Sequence, residues 1–384
     1  MSVTAARGFV AAGVHAGIRA SHPDLAVVRS LARAVGAGLF TRNRVQAAPV
    51  LVSRSHLAQT APQAVVVNSG VANAATGKPG LRAAEATAAE AARLLGLAPE
   101  EVLVLSTGVI GAPLPLEKVE AGLGQAVSAL SAQGGDAAAQ AIMTTDTRPK
   151  QARAGGDGFV VGGMAKGAGM IHPALATMLA ILTTDYPLEP GEADAFLRPA
   201  VERSFNRISV DGECSTNDAV VLLANGASGC ARDDAAFREA LDEVCADLAG
   251  QIVADGEGAT VLLEIAVTGA ASAEDASAIA RRIATSPLVK TAAFGRDANW
   301  GRVLAAAGSA PANGGFARLD PDCVTLRFNG TPVFTAGTPT ALEPSLEGAV
   351  CRIELDLGLG AHAASYLASD LTYDYVRINA DYRT

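Results

Sequence analysis

Two stretches decide how this chain folds: Ala64-Val65-Val66-Val67-Asn68-Ser69-Gly70 and Val102-Leu103-Val104-Leu105-Ser106-Thr107-Gly108. Each is an apolar run too short for a helix, and each ends in small polar residues and a glycine. That is the pattern of a buried strand entering a tight turn. Between them, residues 81–97 are Ala-rich, with Leu81, Ala84, Ala88 and Ala91 on one face and Gly96 near the end, which predicts a helix. A second helix is expected from Glu117 to about Leu130. Strand, small-residue turn and helix alternate, so the fold class is α/β.

Working outward, Ala48-Pro49-Val50-Leu51-Val52 is another short apolar run and reads as a strand. Residues 151–165 carry Gly155, Gly156, Gly158, Gly162 and Gly163, which fits either a linker or a backbone bent closely around something. A helix is expected over 192–205, a strand over 219–224, a long helix over about 233–253 and a strand over 260–268. The last 110 residues read as a compact α+β subdomain, at about 270–384. They comprise helix 274–285, strand 323–328, an Asn329-Gly330 hairpin turn of type I′, strand 350–357, helix 361–370 and a final strand ending at Asn379.

The 384 residues are enough for two or three domains at ~150 residues each. They are 49% hydrophobic but only 4% aromatic, so the core must be built mainly from Ala, Val, Leu and Ile. A net charge of −9 argues against a nucleic-acid or anionic-membrane partner, both of which need a basic face. Five cysteines without a CxxC pair fit reduced thiols and a cytoplasmic protein. The first residues lack a basic region followed by an apolar run, and no stretch of 18 apolar residues occurs, so neither a secretory signal nor a membrane span is expected.

Most catalytic patterns are missing. The sequence has no Walker lysine, HExxH or GxSxG, and its five histidines show no metal-ligand spacing. One segment stands apart: Lys166-Gly167-Ala168-Gly169-Met170-Ile171-His172-Pro173-Ala174-Leu175-Ala176-Thr177-Met178-Leu179. It sets a lysine in a Gly-rich bend and a threonine in front of an apolar run. On residue types alone, Thr177 is either an ordinary turn hydroxyl or a reactive one.

This segment resembles the self-cleavage site of the glutamate N-acetyltransferase (ornithine acetyltransferase) family of arginine biosynthesis. Further matching blocks follow in the family's order from end to end. They include Thr41-Arg42-Asn43-Arg44-Val45, Leu105-Ser106-Thr107-Gly108-Val109-Ile110-Gly111, Met143-Thr144-Thr145-Asp146-Thr147 and Ser215-Thr216-Asn217-Asp218. Later come Asp255-Gly256-Glu257-Gly258-Ala259-Thr260, Ser286-Pro287-Leu288-Val289-Lys290-Thr291-Ala292 and Asp374-Tyr375-Val376-Arg377-Ile378-Asn379. Val71, Ala174-Leu175 and Val261 depart from the family's usual residues.

The resemblance implies a layered α/β sandwich of the self-cleaving N-terminal-nucleophile type. It implies cleavage between Ala176 and Thr177 into an α chain of 1–176 and a β chain of 177–384. Thr177 would be the nucleophile, with its freed α-amine as base, and Thr107 with Gly108 the oxyanion hole. Thr147, Lys166, Thr177, Glu257, Asn379 and Thr384 would contact substrate. The expected reaction moves acetyl from N2-acetyl-L-ornithine to L-glutamate through an acetyl-enzyme. No metal or redox cofactor is expected. Some family members also accept acetyl-CoA, and the residues do not say which kind this is. A heterotetramer of two α and two β chains is carried over in the same way. The rival function is an aminopeptidase or amidase of the same self-cleaving fold, which would give its acyl group to water.

Overall fold

The computed structural model describes residues 3–172 and 178–381. The chain forms two compact units. The first holds the described residues up to Asn206 together with Glu213–Ile252; the second holds Arg207–Gly212 and the described residues from Val253 onward.

The first unit contains two sheets. A four-stranded sheet runs in the order Phe9–Val14, Leu25–Ser30, Ala64–Val71, Val102–Val109. The last two strands are the quoted stretches, and they pair in parallel. A five-stranded sheet runs in the order Val35–Phe40, Ala219–Ala224, Leu179–Thr184, Phe159–Lys166, Lys150–Gly156.

Alternation along the strands builds the layers. Val65, Val67, Leu103 and Leu105 face Leu179, Ile181, Val221 and Leu223 of the other sheet, forming the central core. Val66 and Val104 face the opposite way, onto Ala84, Ala88 and Ala91 of the helix Gly77–Leu95 and Val119 and Leu123 of the helix Leu116–Ser128. Over the five-stranded sheet lies the helix Asp234–Ala254: a Cβ on Gly163 would sit 2.9 Å from Leu248 and 3.0 Å from Val244. The first unit is therefore a helix–sheet–sheet–helix sandwich, the layered α/β arrangement expected. Four of its rings are pooled in one place, where Tyr186 stacks on Phe237 at 4.5 Å with Phe159 and Phe196 edge-on.

The Gly-rich stretch is neither linker nor open bend. It is an antiparallel hairpin, Lys150–Gly156 with Phe159–Lys166. Gly163 admits close packing of the helix Asp234–Ala254 on the sheet. The expected strand at 48–52 is the first half of a helix, Ala48–Leu57. Pro49 sits in the first turn, where a missing N–H costs nothing. The helix continues through polar residues that the apolar run did not include. Ser53 and His56 bond the strand behind them, at the Val104 and Val102 carbonyls.

The second unit is a seven-stranded sheet ordered Thr338–Pro339, Thr331–Thr335, Thr325–Phe328, Val350–Asp356, Leu262–Ala270, His362–Ser369, Ile208–Ser209. The helices Ala273–Ala284, Pro287–Phe294 and Trp300–Gly308 pack their apolar residues into the same core. The turn at Asn329 and Gly330 has φ of 48° and 80°, as type I′ requires.

Two expectations at the end of the chain are reversed. Residues 362–369 are a strand rather than a helix, inserted between Leu262–Ala270 and Ile208–Ser209, with Ala364, Tyr366 and Ala368 buried. Alanine's helix preference gives way to two strand partners and a core face. The closing segment is a helix, Tyr373–Asp381, rather than a strand. Thr372 starts it by accepting the Tyr375 N–H at 3.1 Å.

Candidate active site

Of the expected site residues, Thr107, Gly108, Thr147 and Lys166 fall in the first unit, and Glu257 and Asn379 in the second. Ala176, Thr177 and Thr384 lie outside the described residues.

Thr107 and Gly108 lie near the end of the strand Val102–Val109, which is tied from two sides. Ser106 donates to Asn68 at 2.5 Å, and Asn68 in turn donates to the Val71 carbonyl at 2.8 Å. Asn217 donates to both the Ser106 carbonyl at 2.8 Å and the Ala72 carbonyl at 2.6 Å. Gly108 has φ of +130°, and a Cβ there would fall 2.3 Å from the Gly70 carbonyl carbon. Only glycine fits. The neighbouring strand runs so close that the backbone at Gly108 is held in this conformation, which a preorganised donor would need. Thr107 is buried beside it.

Lys166 is the last residue of its strand, buried, and pairs in register with Leu179. It therefore stands across the ladder from a residue two positions after Thr177. Its charge is answered within the same unit by Asp146. That carboxylate accepts from Lys150 Nζ at 2.6 Å, Gly167 N–H at 2.7 Å and Thr144 N–H at 2.9 Å. Burial works to raise the Asp146 pKa. The Lys166 and Lys150 charges and the Gly167 N–H outweigh it and bring the carboxyl down to about 2. Next to this group, a cavity of about 390 Å³ is lined by Arg19, His22, Met143, Thr144, Asp146 and the exposed Thr147.

Met178 donates its N–H to Asp218 Oδ1 at 3.1 Å and accepts at its carbonyl from Ala219 N–H at 3.1 Å. Asp218 is fully buried, and burial pushes its carboxyl well above the usual range, against the pull of Met178 N–H and Lys166. Sequence reasoning quoted Asp146, Asn217 and Asp218 within matching blocks but gave none of them a task. Their one local signal was a charged or amide side chain at the edge of an apolar strand.

In the second unit, Asn379 donates to Glu257 Oε2 at 2.8 Å and to the Tyr375 carbonyl at 3.0 Å. The turn that carries half-buried Glu257 is held by Thr372, which donates to the Gly258 carbonyl at 2.8 Å, and by Asp370, which accepts from Thr260 N–H at 2.9 Å. Beneath it Lys290 is buried and donates to the Ser369 carbonyl. Burial lowers its pKa from 10.5 to about 8, although the Asp370 and Asp211 carboxylates oppose that. The folded state therefore binds fewer protons than the unfolded chain between those values, and its stability rises with pH across that window. Lys290→Met is expected to flatten this rise between pH 8 and pH 10.5 relative to wild type, measured as urea midpoints.

Among the described residues, no group of three His, Cys, Asp or Glu is placed to hold a metal, and no helix is long and apolar enough to cross a membrane.

The ArgJ family model matches residues 10–384. The chain is 50% identical, over 99% of its own length and 96% of the relative's, to the arginine biosynthesis bifunctional protein ArgJ of Mycolicibacterium paratuberculosis. It is 48% identical, over 100% of its length and 98% of the relative's, to the protein of that name from Symbiobacterium thermophilum. Among solved structures, ornithine acetyltransferase of Mycobacterium tuberculosis, complexed with ornithine, is similar at 47% identity. That match covers 46% of this chain and 96% of the solved one, with a TM-score of 0.43. From near-complete coverage at these identities, the chain belongs to the ArgJ family.

Proposed function

We propose that this chain is a self-maturing acetyltransferase of arginine biosynthesis that moves acetyl from N2-acetyl-L-ornithine to L-glutamate. The structural observation that carries it is the buried Lys166, paired in register with Leu179, which follows Thr177 by two residues in the sequence. Similarity over nearly the whole length to proteins named for arginine biosynthesis supplies the pathway.

In maturation, Thr177 Oγ attacks the Ala176 carbonyl, the peptide C–N bond breaks, and water opens the resulting ester. The new α-amine, with an ordinary pKa of about 7.7–8.0, stands on the same residue as the hydroxyl it must deprotonate. In turnover, Oγ attacks the acetyl carbonyl of acetylornithine and its proton passes to the α-amine. The oxyanion is received by the Thr107 hydroxyl and Gly108 N–H. The α-ammonium then gives the proton to the departing ornithine nitrogen. Glutamate's amine reverses the sequence and leaves as N-acetylglutamate. The substrate contacts proposed are Thr147, Lys166, Glu257, Asn379 and Thr384, and the opposite charges of Lys166 and Glu257 suit amino-acid substrates. The cycle balances without a metal or redox group. Acetyl-CoA is a second donor to test, and a cytoplasmic heterotetramer of two α and two β chains is the proposed working form.

Gly108→Ala keeps the backbone N–H but has no room for its Cβ and must displace that donor, so kcat is expected to fall by about 10²–10³-fold, the usual loss for one oxyanion donor. The assay is acetyl transfer, with a circular-dichroism melt as the check on folding. An unchanged kcat would remove Gly108 from the oxyanion site. The function itself is tested with acetyl-labelled acetylornithine. Label should appear in N-acetylglutamate when glutamate is present; label appearing only in free acetate would mean the aminopeptidase or amidase reaction.

A further inference from the structure

The segment joining the strands Phe9–Val14 and Leu25–Ser30 carries Arg19, which has no part in the cycle above. Buried Asp24 fixes that segment. Its carboxylate accepts the Ala16 N–H at 2.6 Å and the Arg19 N–H at 2.9 Å, and its carbonyl accepts the Ser69 N–H at 2.8 Å. The Arg19 stem lies against Gly70, where a Cβ would fall 2.7 Å from the Arg19 Cγ, and Gly70 pairs in register with Gly108. Its guanidinium donates to the Met143 carbonyl at 2.8 Å and the Thr144 carbonyl at 3.4 Å. A guanidinium has more N–H donors than these bonds use, and this one forms no ion pair among the described residues.

Half-buried Arg19 therefore reaches from the strand beside Gly108 to the cavity of about 390 Å³ that Thr147 lines. There Asp146 is already met by Lys150 Nζ at 2.6 Å and by the charge of Lys166, and the other lining side chains carry no fixed charge. A cavity with this balance suits a carboxylate, which a guanidinium can grip with paired N–H bonds. Besides the reacting nitrogen, acetylornithine and glutamate share the α-carboxylate on the neighbouring carbon. Their side chains end in opposite charges, which one fixed cation cannot serve. We propose that Arg19 is a specificity-determining residue that holds the α-carboxylate common to both substrates, through the N–H groups its carbonyl partners leave over. This rests on the acetyl-transfer cycle proposed above. The Met143 and Thr144 carbonyls and the Asp24 clamp hold the guanidinium in place before substrate arrives, so little ordering is left for binding.

The test is Arg19→Met in the full chain, assayed for acetyl transfer to L-glutamate, to its α-amide and to L-glutamine, the side-chain amide. Wild type is expected to prefer glutamate to the α-amide in kcat/KM by about 10–100-fold, the worth of a hydrogen bond to a charged group. Arg19→Met should lose that preference, with KM for glutamate raised and kcat changed less, and Arg19→Lys should recover part of it. A preference over the α-amide that survives in Arg19→Met, or a loss confined to the preference over glutamine, overturns the proposal. Should Arg19→Met fail to fold or mature, wild type is treated with the arginine reagent phenylglyoxal and Arg19 is read by mass spectrometry. L-glutamate should slow its modification and the α-amide should not; equal rates with both overturn the proposal. Failure of the underlying cycle looks different: wild type would transfer no acetyl, while the protection of Arg19 would still report on the carboxylate.

Discussion

Thr177→Ala is expected to give one uncut chain with no acetyl transfer above background. The hydroxyl is asked to do two tasks, opening the Ala176 carbonyl and then carrying acetyl, and alanine can do neither. The uncut chain also lacks the α-amine, so nucleophile and base disappear in one substitution. Thr177→Ser separates a chemical loss from a structural one: a serine hydroxyl can still attack, so this variant should cut and retain part of the activity. The β-branched methyl of threonine restricts χ1, and its loss should show as a lower kcat rather than as a dead enzyme. Denaturing gels and the labelled-acetyl assay read both results. A cut, active Thr177→Ala protein would end the proposed mechanism.

The second large effect is on stability. Asp146→Ala would leave Lys150 and Lys166 buried with their shared anion gone, and take the acceptor from the Gly167 N–H. Breaking a buried ion pair from one side costs about 3–5 kcal/mol, a large share of a domain's stability. Urea unfolding should show it as a markedly lower midpoint. Asp146→Asn, which keeps an acceptor oxygen but no charge, should fall between. The pH dependence has a definite sign. The folded Asp146 carboxyl sits at about 2 against an ordinary 3.8, so its contribution is complete above the ordinary value and is lost as pH falls toward 2. Wild type and Asp146→Asn should therefore converge in stability as the solution is acidified. Because Gly167 and Lys166 lead into the segment that carries the cleavage point, slower maturation of the variant is expected alongside.

Much of this was legible in the sequence. Val102 to Leu105 had only one reading, a short apolar run ended by a glycine, and the structure has a strand there. The helix Asp234–Ala254 was expected over about 233–253, and the Asn329-Gly330 turn was plain because a turn dipeptide is a local signal. Residues 362–369 were misleading because alanine favours a helix locally, and nothing local records the two strands that flank them. Ala48–Leu57 was misleading in the opposite direction, since its apolar half looks complete without the polar half. The site divides along similar lines. Lys166 and Gly108 are candidates through family motifs, and the fold buries Lys166 across from Leu179 and leaves no room for a Cβ at Gly108. Asp146 and Asp218 were passed over: beyond its local partners Thr144 and Lys150, Asp146 meets Gly167 21 residues away, and Asp218 meets Met178 40 residues away. A carboxylate's use is set by what the fold brings to it.

The central claim is that acetyl rests on Thr177 between the two substrates. The direct measurement is the mass of the protein after brief incubation with N2-acetyl-L-ornithine and no glutamate, quenched in acid. The expected result is two fragments divided before Thr177, with the 177–384 fragment one acetyl group heavier at its first residue and the acetyl lost when glutamate is added. Transfer by a protein that is uncut, or whose 177–384 fragment never carries acetyl, would contradict it.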